Sequence, residues 1–160
     1  MELGGAPMNE KLREAISRQV EQEPFARKFG LKLVGLNPGH SRVQMTFTDD
    51  MENIFGMAHG GAIFALIDAA FETASNSHGT MAVALNVTVN YLGAASRGDT
   101  LTAEANEIAR TRKTANYDIR VCDGRGRLIA SCQALAYRKG IPLPFLDEAV
   151  RAELSVSTEP

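Results

Sequence analysis

The run from Asn53 to Gly79, NIFGMAHGGAIFALIDAAFETASNSHG, constrains the fold more than any other part of this chain. It opens on polar and glycine punctuation, continues as about four turns of apolar helix broken by Asp68, and closes in a polar segment ending at Gly79. A helix that is apolar nearly all round has to be buried. The remainder of the chain must therefore cover it, and the carboxylate in its middle needs a reason. Phe64, one turn before Asp68, and Phe71, three residues after it, predict a desolvated carboxylate.

The chain has 160 residues, long enough for one domain with a real core. With 22% charged residues and a net charge of -2, it carries no basic excess of the kind that nucleic-acid binding requires. The longest apolar run, Ala62 to Phe71, is too short to span a bilayer. The opening MELGGAPMNEKLREA lacks the apolar stretch of a signal peptide, so a cytoplasmic protein with no membrane partner is expected. His40, His59 and His78 have no metal-ligand spacing with one another or with the cysteines, which predicts no metal. Cys122 and Cys132 flank the turn-like Asp123 to Gly126. In a hairpin centred there Cys132 faces Tyr117, which leaves the two sulfurs roughly 16 Å apart as reduced thiols.

Along the chain, Met1 to Pro7 reads as a disordered lead-in. Asn9 to about Gln22 reads as an amphipathic helix with Leu12, Ile16 and Gln19/Val20 on one face, ended by Pro24. Leu31 to Leu36 and Ser41 to Thr48 read as strands joined by Asn37-Pro38-Gly39. After the helix come four long strand patterns, Met81 to Leu92, Thr100 to Ala109, Thr114 to Cys122 and Arg127 to Arg138. Ile141-Pro142-Leu143-Pro144 and a short helix from Leu146 to Leu154 form a peripheral tail. Two strands, one buried helix and four strands, without strand-helix alternation, imply an α+β fold with an antiparallel sheet around the helix. The units are an N-terminal tail and helix (1–28), the main domain (29–140) and a C-terminal extension (141–160).

Asn53, Gly56, His59-Gly60-Gly61, Asp68 and Asn76 stand in the spacing N-x-x-G-x-x-H-G-G followed by D and N. This pattern resembles the hotdog-fold acyl-CoA thioesterases of the PaaI-like, phenylacetate-pathway group. Asn90-Tyr91-Leu92, Gly98-Asp99-Thr100-Leu101, Asp123-Gly124 and Ala136-Tyr137-Arg138 agree with it, and the likeness runs from about Phe29 to Lys139. It implies a sheet wrapped round the helix, a homodimer or homotetramer, and active sites at the dimer interface. Carried over by position, Asp68 is the nucleophile or general base and Gly60 offers its backbone N-H to the thioester oxygen. Asn53 and His59 shape the site. Gly61 and Asn86 are further substrate-binding positions; where some relatives hold the attacking water with a serine or threonine, this chain reads Ala84-Leu85-Asn86-Val87-Thr88, so that role falls to Asn86 or to no residue. Arg112 and Lys113 are the cations best placed for the CoA phosphates, ahead of Arg97, Arg110 and Arg138. No cofactor is implied, since CoA is part of the substrate.

The residue types suit that chemistry on their own terms. A glycine pair opening a helix presents unpaired N-H groups at the positive end of the helix dipole, where developing negative charge is stabilised. A thiol of pKa near 8.5 leaves without much proton assistance, so one carboxylate can suffice. Structural readings compete: His59 as a backbone-bonded histidine, Asn53 as a turn or cap residue, Gly61 as a helix-entry residue, and Glu72 as a solvated or interface side chain. Two other classes stay open, a hotdog hydratase or dehydratase acting on acyl thioesters, whose usual His-based motif differs, and a non-catalytic acyl-CoA-binding module.

Overall fold

The computed structural model describes residues 7–156, so the reading of Met1 to Ala6 lies outside the described residues. The chain forms α1 (Glu10–Gln22), α2 (Pro24–Phe29), β1 (Lys32–Asn37), β2 (His40–Thr46), a 3-10 turn (Asp49–Met51) and α3 (Gly60–Asn76). It continues with β3 (Thr80–Tyr91), β4 (Thr100–Arg110), β5 (Thr114–Cys122), β6 (Leu128–Pro142) and α4 (Glu148–Val156). The six strands make one antiparallel sheet in the order β1-β2-β4-β5-β6-β3, and α3 touches every one of them. This is the α+β architecture that the element order implies. It has a direct cause: a 17-residue helix this apolar is hidden only by a sheet broad enough to curl around it.

The helix is not apolar all round. Gly61, Phe64, Asp68, Glu72 and Asn76, spaced three or four residues apart, form one narrow stripe that the sheet does not cover, while the residues between them are buried. Phe71 lies on the sheet side of the helix, its ring edge-on to Tyr117 at 5.4 Å, so it does not shield Asp68 as expected.

Several boundaries differ from the expectation for local reasons. Pro24 does end α1, but it also serves as the first residue of α2, where a missing N-H costs nothing. β6 runs on to Pro142, which pairs with Thr80, and Leu143, Leu146 and Val150 are buried. The C-terminal segment is therefore part of the core's cover and not peripheral. Cys132 pairs with Ile119, not with Tyr117. The Asp123 carboxylate accepts the N-H groups of Arg125 and Arg127, both at 2.9 Å, which sets the β5-β6 loop, and a bulge next to Cys122 shifts the register. Both cysteines are free thiols, as expected.

Candidate active site

Between β2 and α3 the chain is folded into a tight loop by Asn53. Its side-chain carbonyl accepts from the N-H groups of Phe55 (2.9 Å) and Met57 (3.1 Å), and its own N-H donates to the Met57 carbonyl at 2.8 Å. Gly56 closes the loop with φ of 70°, a conformation that side chains resist. The turn reading of Asn53 is thus present in the geometry, and its amide N-H groups are left with no acceptor among the described residues.

His59 caps α3. Its Nδ1 accepts the Gly61 N-H at 2.8 Å, which makes Nδ1 the unprotonated nitrogen and places the ring proton on Nε2. The His59 carbonyl takes the N-H groups of Ala62 and Ile63. Gly60 is left over. Among the described residues no acceptor is bonded to its N-H, which points out of the first turn of a helix. Tyr91, at the end of β3, lies over this glycine: its hydroxyl donates to the Gly60 carbonyl at 3.1 Å, and a Cβ on Gly60 would meet the Tyr91 ring at 3.3 Å. Sequence reasoning quoted Tyr91 only as a family match and gave it no role. Gly60, Asn53, Ile63, Tyr91 and Gly93 line a shallow recess of about 430 Å³.

Asp68 is not in that recess. Eight residues along the same helix place it about 12 Å from Gly60. It is half-buried, and burial holds its carboxyl above the ordinary carboxylate range. One turn further, Glu72 is pushed up to about 7, first by burial and then by the charges of Glu23 and Asp68. Glu23, at the α1-α2 junction, is raised by burial and by Asp68. Three carboxylates thus share one charge environment, which sequence alone hinted at only through the spacing of Asp68 and Glu72.

The remaining sequence candidates fall elsewhere. Arg112 and Lys113 form the exposed tip of the β4-β5 hairpin, beyond the C-terminal end of α3, with the Lys113 ammonium 5.7 Å from the Tyr137 ring. Arg97 is committed to Asp49 and Glu52, and Arg110 to Glu107. Asn86 is a correction. A bulge at Leu85 switches the pleat, so Asn86 pairs with Leu135, accepts from Thr88 at 3.1 Å and lies on the outer face with Gln133, away from α3. It is not brought near Asp68. The loop group, Asp68 and the hairpin cations are three separate places in one chain.

Comparison with known proteins adds to this geometry. Residues 55–130 match the thioesterase superfamily model. The acyl-coenzyme A thioesterase PaaI of Escherichia coli K12 is 32% identical over 133 residues, spanning 83% of this chain and 95% of that protein. The chain belongs to the thioesterase superfamily, in its PaaI-like group. The solved E. coli PaaI structure superposes with a TM-score of 0.80 at 31% identity, covering 84% of this chain and 98% of PaaI. PaaI of Thermus thermophilus, a phenylacetic acid degradation protein, gives 0.70 at 36% identity over 72% of this chain and 99% of its own. The Streptococcus mutans UA159 protein smu.793, solved bound to acetyl CoA, gives 0.68 at 30% identity over 71% and 91%. The hotdog fold and a thioester hydrolase follow for the present chain. Among the described residues there is no helix long and apolar enough to cross a membrane and no acid, His or Cys cluster able to hold a metal.

Proposed function

We propose that the protein hydrolyses acyl-CoA to a carboxylic acid and free CoA at sites shared between two copies of the chain. One observation carries this reading: the unpaired Gly60 N-H and the Asp68 carboxylate lie on one rigid helix about 12 Å apart. The thioester oxygen held by one and the carbon attacked at the direction of the other are the two ends of a C=O bond of about 1.2 Å, with the attacking atom about 3 Å from that carbon. One chain cannot supply both groups to one carbonyl, so the second must come from a partner.

The free edge of the sheet supports that arrangement. Among the described residues β3 pairs only with β6, and its open edge presents an unpaired row of backbone groups flanked by the exposed Leu85, Tyr91 and Leu92. Such an edge calls for a partner strand. β3 runs back along α3, with Tyr91 at the helix start and Ala82, bonded to Asn76, at its end. Antiparallel self-pairing of β3 about a two-fold axis therefore carries the Gly60 end of one copy toward the Asp68 to Asn76 half of the other. A further pairing of dimers into a homotetramer is what the family resemblance implies. Free Cys122 and Cys132 suit the reducing cytoplasm.

In the shared site the partner-side Gly60 N-H stabilises the growing charge on the thioester oxygen. Asp68 either takes a proton from the water that attacks the carbonyl carbon or attacks that carbon itself, forming an anhydride that water then opens. In both routes the C-S bond breaks, the thiolate of CoA leaves and the acid is released. Asn53 and His59 hold the loop and cap that aim Gly60, while Gly61 is used in the cap. Arg112 and Lys113 meet the CoA phosphates. A hydratase reading needs a histidine nitrogen free to accept a proton, whereas the accepting nitrogen of His59, Nδ1, is engaged with its own helix.

Thiol release across a panel of acyl-CoAs tests this proposal. Asp68→Asn should lower kcat at least about 100-fold in a folded, assembled protein. Near-normal turnover in that variant would remove Asp68 from the mechanism, and a wild-type protein that binds acyl-CoA without releasing thiol would favour the binding-module reading.

A further inference from the structure

A second cavity lies apart from the recess at Gly60. A space of about 580 Å³ opens one turn past Asp68, between Glu72 on α3, Val20 on α1, Glu23 at the α1-α2 junction, Met81 on β3, and Leu143 and Phe145 after β6. Its size falls within the range of small-ligand pockets. Its walls are largely aliphatic, yet two acidic side chains line it.

We infer that this cavity receives the acyl group of the thioester, and that Glu23 and Glu72 confine it to acyl groups without a negative charge. The inference rests on the shared-site reading above and deepens it. Asp68, Glu72 and Asn76 lie on the one stripe of α3 that the sheet leaves open, and Glu72 and Asn76 line the cavity, so an acyl tail that follows the stripe from a carbon held at Asp68 reaches it after about 6 Å. The electrostatics agree, since Glu23 and Glu72 each sense the charge of Asp68. A site whose walls combine Ile16, Val20, Met81 and Leu143 with these carboxylates favours an apolar or aromatic tail. A tail ending in a second carboxylate would bring a like charge into a partly desolvated space lined by two acids and one turn from a third, Asp68, which is an exclusion by repulsion and not by size.

The roof has consequences for where specificity is encoded. It comes from the α1-α2 junction and from the segment after β6, outside the sheet-and-helix unit that carries Gly60 and Asp68. The competing occupant is the partner's loop, whose counterpart here exposes Ile54 and Phe55. The two occupants predict different responses to substitution.

The test uses hexanoyl-CoA and adipyl-CoA, of equal chain length and differing in a terminal carboxylate. Wild-type protein should prefer hexanoyl-CoA by at least about tenfold in kcat/KM, and Glu23→Gln with Glu72→Gln should lower that preference at least about tenfold, whatever happens to either absolute rate. Glu72→Gln alone should move the ratio part of the way and serves if the double variant does not fold. Separately, Val20→Phe should shorten the longest saturated acyl chain that is accepted. A wild type indifferent to the terminal charge, a ratio unmoved by the Gln variants, or a chain-length profile unmoved by Val20→Phe would overturn the inference, the last pointing to the partner's loop as occupant. Hydrolysis of hexanoyl-CoA in those cases leaves the thioesterase reading intact. Failure of wild-type protein to cleave any acyl-CoA overturns both.

Discussion

At Gly60 two demands meet on one residue, a free N-H and no side chain, and they can be separated experimentally. Position 60 is the first residue of α3, preceded by His59 with φ of -65° and ψ of 132°, an extended conformation that suits a residue before proline. Gly60→Pro therefore removes the N-H without costing the helix a hydrogen bond. Gly60→Ala keeps the N-H and adds the same Cβ against the Tyr91 ring. If the N-H stabilises the oxyanion, the Pro variant should lose about 100-fold or more in kcat relative to the Ala variant at similar melting temperature. Equal rates for the two would assign the glycine to space and not to hydrogen bonding. Glu72 allows a second test at this scale. Its carboxyl is held up to about 7, above the ordinary value of 4.5, so the fold favours the neutral form. The associated stability is fully present below about pH 4.5 and is lost as pH rises through about 7. Urea midpoints of the wild type should fall between pH 5 and 8, and Glu72→Gln should flatten that fall. An unchanged slope would mean that Glu72 is ordinary and solvated.

At the scale of elements, the helix and the strand count were legible because they depend on periodicity. An apolar run of this length and four alternating segments admit few other arrangements. The glycine and histidine punctuation before α3 was readable too, since cap geometry is local. What could not be read are features that one inserted residue controls. The bulge at Leu85 turns Asn86 to the outer face, and the Asp123 loop with its bulge moves Cys132 opposite Ile119. No side-chain pattern announces either, because a bulge reverses the alternation on which the pattern rests. The tail after β6 does not read as core cover because Leu143, Leu146 and Val150, at helical spacing, show that one face is apolar but not what that face packs against. The β4-β5 hairpin gives a test at this scale. If Arg112 and Lys113 bind the CoA phosphates, replacing both with Ala should raise KM for acyl-CoA with kcat nearly intact, since phosphates far from the reacting carbon bind ground and transition states alike. The penalty should shrink as salt rises and vanish on a short thioester without the nucleotide. Equal losses on both substrates would move the assignment to Arg138 or its neighbours.

For the whole molecule, a net charge of -2 gives no attraction for an anionic substrate, so the proposed function asks local cations and a site shared by two chains to do what the overall field does not. Seven of the twelve exposed large apolar side chains among the described residues fit an assembled state: Ile54, Phe55 and Met57 on the loop, Phe64 on the open helix stripe, and Leu85, Tyr91 and Leu92 along the β3 edge border the surfaces that the proposed two-fold would close. Subunit mixing tests whether they do. Asp68→Ala removes the carboxylate of a site, and Asn53→Ala removes two hydrogen bonds that fold the loop leading to Gly60. In a shared site each hybrid dimer holds one site with both lesions and one with neither. Random exchange of equal amounts makes half of the dimers hybrid, and half of their sites intact, so two inactive preparations should recover about a quarter of wild-type activity. Mass spectrometry confirms the exchange, and recovery should follow the hybrid fraction as the mixing ratio is varied. No recovery despite verified hybrids would place both lesions in the same site, and the separation of about 12 Å along α3 would then have to be closed by a movement within one chain.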